Sequence, residues 1–197
     1  MSDMQSCCAF REGDKKLVGV AVASINYKGD HVRSETRIRP RQGKAIFDIM
    51  TLKSCVFAKA RPYEVLEIDH FFRVHVFCVD AEHQGKGIGT ALINCCVSRA
   101  RMLLAPACIV ALSSATDRSI ARRLEFTLLA EVPYNGFKVY DDEKGSFEYP
   151  FEHLEQKGTL ACMAFTIPLP PVRLSRQSLL PILKKKAKKG RTKGKSK

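Results

Sequence analysis

Three glycines fall within five residues, Gly85-Lys86-Gly87-Ile88-Gly89, where one kind of sequence pattern gives way to another. Ahead of them runs Val74-His75-Val76-Phe77-Cys78-Val79, an apolar, β-branched and aromatic stretch that reads as a buried strand. A polar turn, Asp80 to His83, comes between. Behind them Ile88, Leu92, Cys95/Cys96 and Leu103 recur at a spacing that keeps them on one side of a helix. A strand that passes through glycines into a helix start makes an anion site. First-turn N–H groups have no partner within the helix and lie at the positive end of its dipole. Glycines let a bulky oxyanion approach that backbone without meeting a Cβ. Such a turn cradles phosphate, and Lys86 raises the local positive potential. A glycine-rich strand–helix turn with no ligand is the plain alternative.

The spacing is not that of a P-loop, because no Gly-Lys-Ser/Thr follows four intervening residues, nor is it Gly-x-Gly-x-x-Gly, the dinucleotide fingerprint. It is Gln84-x-x-Gly87-x-Gly89. With the strand before it and the helix after it, this run resembles motif A of the GNAT superfamily of acyl-CoA-dependent N-acyltransferases. The resemblance implies that Gln84, Gly85, Lys86, Gly87, Ile88, Gly89 and Thr90 hold the diphosphate of acetyl-CoA, the co-substrate. It implies that backbone groups of Phe77, Cys78 and Val79, on the fourth strand of the family fold, bond the pantetheine arm. No metal is implied.

The family reaction is attack of a neutral amine on a thioester. The site must take a proton from the amine, directly or through water, and a backbone N–H on the fourth strand must stabilise the oxyanion. His75 lies nine residues before Gln84, the offset of the second catalytic histidine in the vertebrate arylalkylamine acetyltransferases. The first falls on Arg73, which is no base at neutral pH. A histidine near its unperturbed pKa accepts protons well at pH 7. Strand alternation places His75, Phe77 and Val79 on one face. The competing reading is a histidine satisfied within the sheet. Tyr134 offers a hydroxyl or simply packs; Glu67 and Asp69 are acidic candidates for an amine subsite or solvated strand ends.

The sequence departs from the family in places. The catalytic glutamate of the invertebrate branch comes from a first strand and two helices that have no counterpart before Ser6. The position of the frequent general-acid tyrosine falls on Ala121, and Glu125 stands where a glycine usually precedes the phenylalanine. A helical pattern over Ala45–Ala60, and Glu131-Val132-Pro133-Tyr134 followed by acidic residues, resemble that invertebrate arylalkylamine N-acetyltransferase-like branch.

The elements that must position these residues follow from the patterns. Strands are expected at Ser6–Phe10, Leu17–Ile25 (central in the sheet), Val74–Val79, Cys108–Leu112, Leu128–Val132 and Leu160–Ile167, the last closing the sheet. A short helix is expected over Asp117–Leu124 with Thr116 or Asp117 as N-cap. These patterns suit an α/β (α+β) chain, and the resemblance implies a GNAT fold with a mixed central sheet, the fourth and fifth strands splayed, helices on both faces, and an N-terminal shortening. The domain spans 1–167, a Pro-rich linker 168–183, and a disordered basic tail 184–197.

That tail dominates the charge. It holds eight Lys and one Arg, so of the net +13 only +4 belongs to residues 1–183. The eight cysteines lack zinc spacing, and four form adjacent pairs poorly placed for bridging; they read as reduced, mostly buried small hydrophobes. With no visible signal peptide and no apolar run of membrane-spanning length, a cytoplasmic setting is expected, with some nuclear targeting through the tail. The expected function is transfer of acetyl from acetyl-CoA to a primary amine, a small arylalkylamine or polyamine. The alternatives are a catalytically inactive acyl-CoA-binding protein or gene fragment, or a nucleic-acid-associated protein acting through its tail.

Overall fold

A computed structural model describes residues 5–30, 43–141, 144–154 and 158–168. The arginines at 33–41, nearly all of the Pro-rich linker and the basic tail lie outside the described residues. The chain opens with a hairpin, β1 (Cys7–Phe10) and β2 (Leu17–Tyr27). Its turn is closed by the Arg11 N–H on the Lys16 carbonyl at 2.8 Å and by an Arg11–Asp14 ion pair. Helix α1 (Lys44–Ala60) ends in left-handed Arg61, and Pro62 starts the single turn α2 (Pro62–Val65). Strand β3 (His70–Val79) leads through the glycines to α3 (Ile88–Met102). Then come β4 (Ala107–Leu112), α4 (Ala115–Arg123) and β5 (Thr127–Pro133). A small hairpin, β6 (Val139–Asp141) with β7 (Ser146–Glu148), precedes β8 (Thr159–Thr166).

Six strands form one mixed sheet in the order β1-β2-β3-β4-β8-β5, with β3 and β4 parallel and every other pair antiparallel. β8 does not close the sheet as its place in the chain suggested. It inserts between β4 and β5, as befits a strand whose residues from Leu160 to Ala164 are all buried. β2 is likewise interior but second from the edge, not central. Helices α3 and α4 cover one face, where Leu92, Cys96, Val97 and Ala121 meet Ala21, Phe72, Val110 and Met163. Helix α1 covers the other, where Val56 and Phe57 meet Phe71, Ile109 and Cys162. The sequence showed only an acidic loop where β6 and β7 pair, with Tyr140 and Phe147 5.3 Å apart edge to face.

All eight cysteines are free, and only Cys7, Cys96, Cys108 and Cys162 are buried; Cys8, Cys55, Cys78 and Cys95 are exposed, more than expected. Burial pushes the Cys96, Cys108 and Cys162 thiols up to about 12, so they stay protonated.

Two irregularities shape the middle of the sheet. β3 and β4 pair only over Phe72–Val74 against Cys108–Val110; beyond that β3 continues to Val79 with β2 as its sole strand partner. Within the β2–β3 ladder Val22 faces Val76 and Ala23 faces Val74, which leaves His75 opposite nothing. This bulge resets the alternation. Phe72 and Val74 pack under α3 before it, and Phe77 and Val79 do so after it. His75 therefore does not share a face with Phe77 and Val79. The expectation of a common face assumed an unbroken period of two.

Helix α4 stops on Glu125 in the left-handed conformation (φ 64°), where the Phe126 N–H reaches the Ala121 carbonyl at 3.0 Å. A residue with a Cβ is strained there. Glu125→Gly is expected to stabilise the fold by about 0.5–1 kcal/mol in urea unfolding; a loss of stability would show that the Glu125 side chain outweighs the strain.

Candidate functional site

The polar turn after β3 is a 3-10 turn, Ala81–His83, with the Asp80 carboxylate accepting the Glu82 N–H at 3.4 Å. The Gln84 amide donates to the Val79 carbonyl at 3.2 Å, and Lys86 Nζ donates to the Glu82 carbonyl at 3.1 Å. Gln84 thus ties the loop to the end of β3, and Lys86 ties it to its own 3-10 turn. Gly85 (φ 75°) and Gly87 (φ 84°) adopt left-handed conformations, and a Cβ on either would meet nothing within 4 Å. Here glycine is needed for conformation, and the space in front of the loop is open. Gly87 is the N-cap of α3 with no side-chain cap, its carbonyl accepting the Ala91 N–H at 3.0 Å. Among the described residues nothing accepts from the N–H groups of Gly87, Ile88, Gly89 or Thr90. Gln84 to Gly87 are all exposed, so other protein atoms do not bury this helix start.

A groove of about 410 Å³ leads from this loop towards the start of α4. Of the residues singled out in the sequence, Phe77, Cys78, Val79, Gln84, Gly85, Ile88 and Gly89 line it; Lys86, Gly87 and Thr90 are off its wall. Gly89 is the close approach, since a Cβ there would lie 3.3 Å from the Phe77 ring. The start of α4 supplies the far wall through Ser114, Thr116, Asp117 and Ile120. The N-cap of that helix is Ser114, not Thr116 or Asp117. Its Oγ accepts the Asp117 N–H at 3.0 Å and donates to Asp117 Oδ2 at 2.6 Å.

A second cavity, about 390 Å³, lies beyond the point where β3 and β4 part. His75, Val76 and Phe77 come from β3, Ala111 and Leu112 from β4, and Lys53 from α1. Phe77 and Asp117 line both spaces, so groove and cavity meet at the split. His75 Nε2 lies 2.8 Å from Ser24 Oγ, and Lys53 Nζ donates to the His75 carbonyl at 2.7 Å. Lys53 thereby occupies a carbonyl on the residue that the bulge leaves unpaired. Burial, then the charges of Arg73 and Lys53, push the His75 pKa down to about 4. At pH 7 the ring is neutral and less basic than the ordinary value assumed from sequence. Burial and Arg73 also lower the Lys53 pKa.

Tyr134 lines this cavity, its hydroxyl donating to the Ser113 carbonyl at 3.1 Å and its ring 6.0 Å from that of Phe151. Glu67 and Asp69 line neither space, and the Asp69 carboxylate is engaged with His70 Nδ1 at 2.5 Å. Sequence reasoning missed Lys53, Ser24, Ser114 and Asp117. The Ser-x-x-Asp spacing at 114–117 is a legible capping signal. Nothing local announces Lys53 or Ser24, which reach His75 from 22 and 51 positions away.

A profile of the acetyltransferase (GNAT) family matches residues 1–124. The chain belongs to the GNAT acetyltransferase family. Solved structures agree on the GNAT fold. A mosquito arylalkylamine N-acetyltransferase-like protein, 5b, superposes with a TM-score of 0.70 at 20% identity, over 83% of this chain and 74% of that one. An agmatine N-acetyltransferase does so at 0.70 and 18% identity, over 83% of this chain and 74% of that one. Drosophila melanogaster polyamine N-acetyltransferase does so at 0.68 and 18%, over 83% and 75%. At such identities the likeness concerns the fold. No curated protein sequence matches the chain.

His75 titrates near 6.5 when unfolded and at about 4 when folded, so between these values the unfolded chain binds more protons. Its contribution to stability is complete above about pH 6.5 and is lost as pH falls towards 4. After discounting for partial exposure the effect is about 1–2 kcal/mol. Urea unfolding of wild type and His75→Gln at pH 7 and pH 4.5 is expected to show their difference shift by that amount in favour of the variant at low pH. A pH-independent difference would show that His75 is not held neutral.

Proposed function

We propose that this GNAT protein transfers an acetyl group from acetyl-CoA to a primary amine on a small molecule, an arylalkylamine or a polyamine. One observation carries the reading: an uncovered row of unpartnered amides opens into a groove that meets a second cavity where two parallel strands part. The residues present suit acetyl-CoA. The N–H groups of Gly87, Ile88, Gly89 and Thr90 suit a diphosphate, and the open φ-positive glycines leave room for it. The edge of β3 from Phe77 to Val79, unpaired on the β4 side, suits the amide-bearing arm. Acetyl-CoA supplies the activated acyl group; the chain supplies orientation, charge stabilisation and a path for the proton.

In the reaction the amine nitrogen bonds to the thioester carbonyl carbon and the carbon–sulfur bond breaks. The amine gives up one proton and CoA leaves as its thiol. A β3 backbone N–H at the split faces the developing oxyanion. His75, neutral at working pH, is the proton acceptor on the cavity wall. With a pKa of about 4 it is a weak base, so it acts best on an amine that arrives already neutral, passing the proton through water. That weakness favours the second reading, an acyl-CoA-binding protein without turnover. Thiol release with a panel of amines separates them: consumption of any amine excludes the silent binder. The setting we propose is cytoplasmic, with residues 184–197 adding salt-sensitive contacts to nucleic acid or nuclear targeting.

Calorimetric titration with acetyl-CoA is expected to lose more than tenfold in affinity in Gly87→Glu, through repulsion at the cradle. Unchanged affinity would remove the diphosphate from this loop. His75→Ala is expected to lower kcat/KM about 10- to 100-fold. The wild-type pH–rate profile should follow deprotonation of the amine, without an inflection near pH 6.5; such an inflection would show His75 titrating as in water.

A further inference from the structure

The walls of the second cavity carry one ammonium and one carboxylate that do not pair with each other. Apart from Lys53, His75 and Asp117 they are largely apolar, through Leu52, Val76, Leu112 and Phe151. His75 is neutral, and Asp117 sits at the mouth shared with the groove, bonded to Ser114. Lys53 is the cation left. Among the described residues no carboxylate lies within ion-pair distance of its Nζ, which is bonded to the His75 carbonyl. A second cation, Arg73, lies close enough to lower the Lys53 pKa, its guanidinium 3.8 Å from the centre of the Phe57 ring. The Lys53 end of the cavity therefore holds positive potential, since Asp117, the lining carboxylate, is not paired with it.

We propose that Lys53 sets the acceptor class: the cavity takes monoamines with an aromatic or aliphatic body and rejects amines that carry a second cationic group. This rests on the transferase reading above and narrows it. The reacting amine enters as, or becomes, the neutral base, so it tolerates the field. A distal ammonium or guanidinium stays charged, and a space of about 390 Å³ cannot place it far from Lys53. Water screens such a pair poorly once the acceptor fills the cavity. Rejection then comes from a repulsive element built into the site, while the apolar walls supply attraction. Lys53 also acts on geometry, because its bond to the His75 carbonyl pins the bulge. Activity alone would mix the two roles, and the ratio between two acceptors within one variant separates them.

The test is steady-state thiol release from acetyl-CoA by the full chain, with phenethylamine, hexylamine, agmatine and putrescine as acceptors. The proteins are wild type, Lys53→Arg, Lys53→Met and Lys53→Glu, each checked by its thermal midpoint. Wild type is expected to favour phenethylamine over agmatine at least tenfold in kcat/KM. Lys53→Arg is expected to keep that ratio. Lys53→Met is expected to shrink it, and Lys53→Glu to reduce it tenfold or more, chiefly through a lower KM for the dications. A wild type that uses agmatine as well as phenethylamine, or a ratio unmoved in Lys53→Glu, overturns the assignment while leaving the transferase reading in place. Consumption of no amine by wild type overturns both.

Discussion

The parting of β3 from β4 is the constraint on which the rest of the structure depends. A parallel pair gains little if it is held for only three residues. The chain nevertheless keeps it that short and lets β3 run on beside β2 alone. The cost is a strand edge without a ladder in the middle of the sheet, where unpaired backbone groups are normally avoided. The return is a wedge flanked by core on both sides. One mouth faces the start of α3 and the other faces α1.

Everything near the wedge follows from holding it open. The bulge at His75 re-phases β3, so that Phe77 and Val79 can still pack beneath α3 after the strand bends. Without it, Val76 and Cys78 would take those places and the glycine turn would meet α3 at another angle. Lys53 then satisfies the carbonyl that the bulge exposes. The close contact of Gly89 with the Phe77 ring lets the helix start sit against the strand end. Gln84 fastens the loop to the last carbonyl of β3. These contacts are mechanical, yet they fix where amide groups point.

The same arrangement creates a tension. Burial and nearby cations that keep the cavity shaped also strip His75 of basicity. In the proposed transfer such a histidine is always available as a base, but it pulls weakly. The proposed reaction therefore leans on orientation and on backbone charge stabilisation more than on proton transfer.

The fold class was legible because its signals are local and periodic. Val74–Val79, the glycines and the Ile88–Leu103 pattern lie within thirty residues, and a helix start needs no distant partner to present its amides. The helix over Lys44–Ala60 and most strands could be read from apolar spacing for the same reason. What the sequence could not determine depends on two segments meeting. The bulge arises from the register of β2 against β3, and register is a property of a pair. The place of β8 between β4 and β5, the capture of the His75 carbonyl by Lys53 and the depressed basicity of His75 all come from burial among residues far apart in the chain. Residue types and spacing decided that a helix start follows the glycines; tertiary structure decided what faces its amides, because fields and contacts act through space and not along the chain.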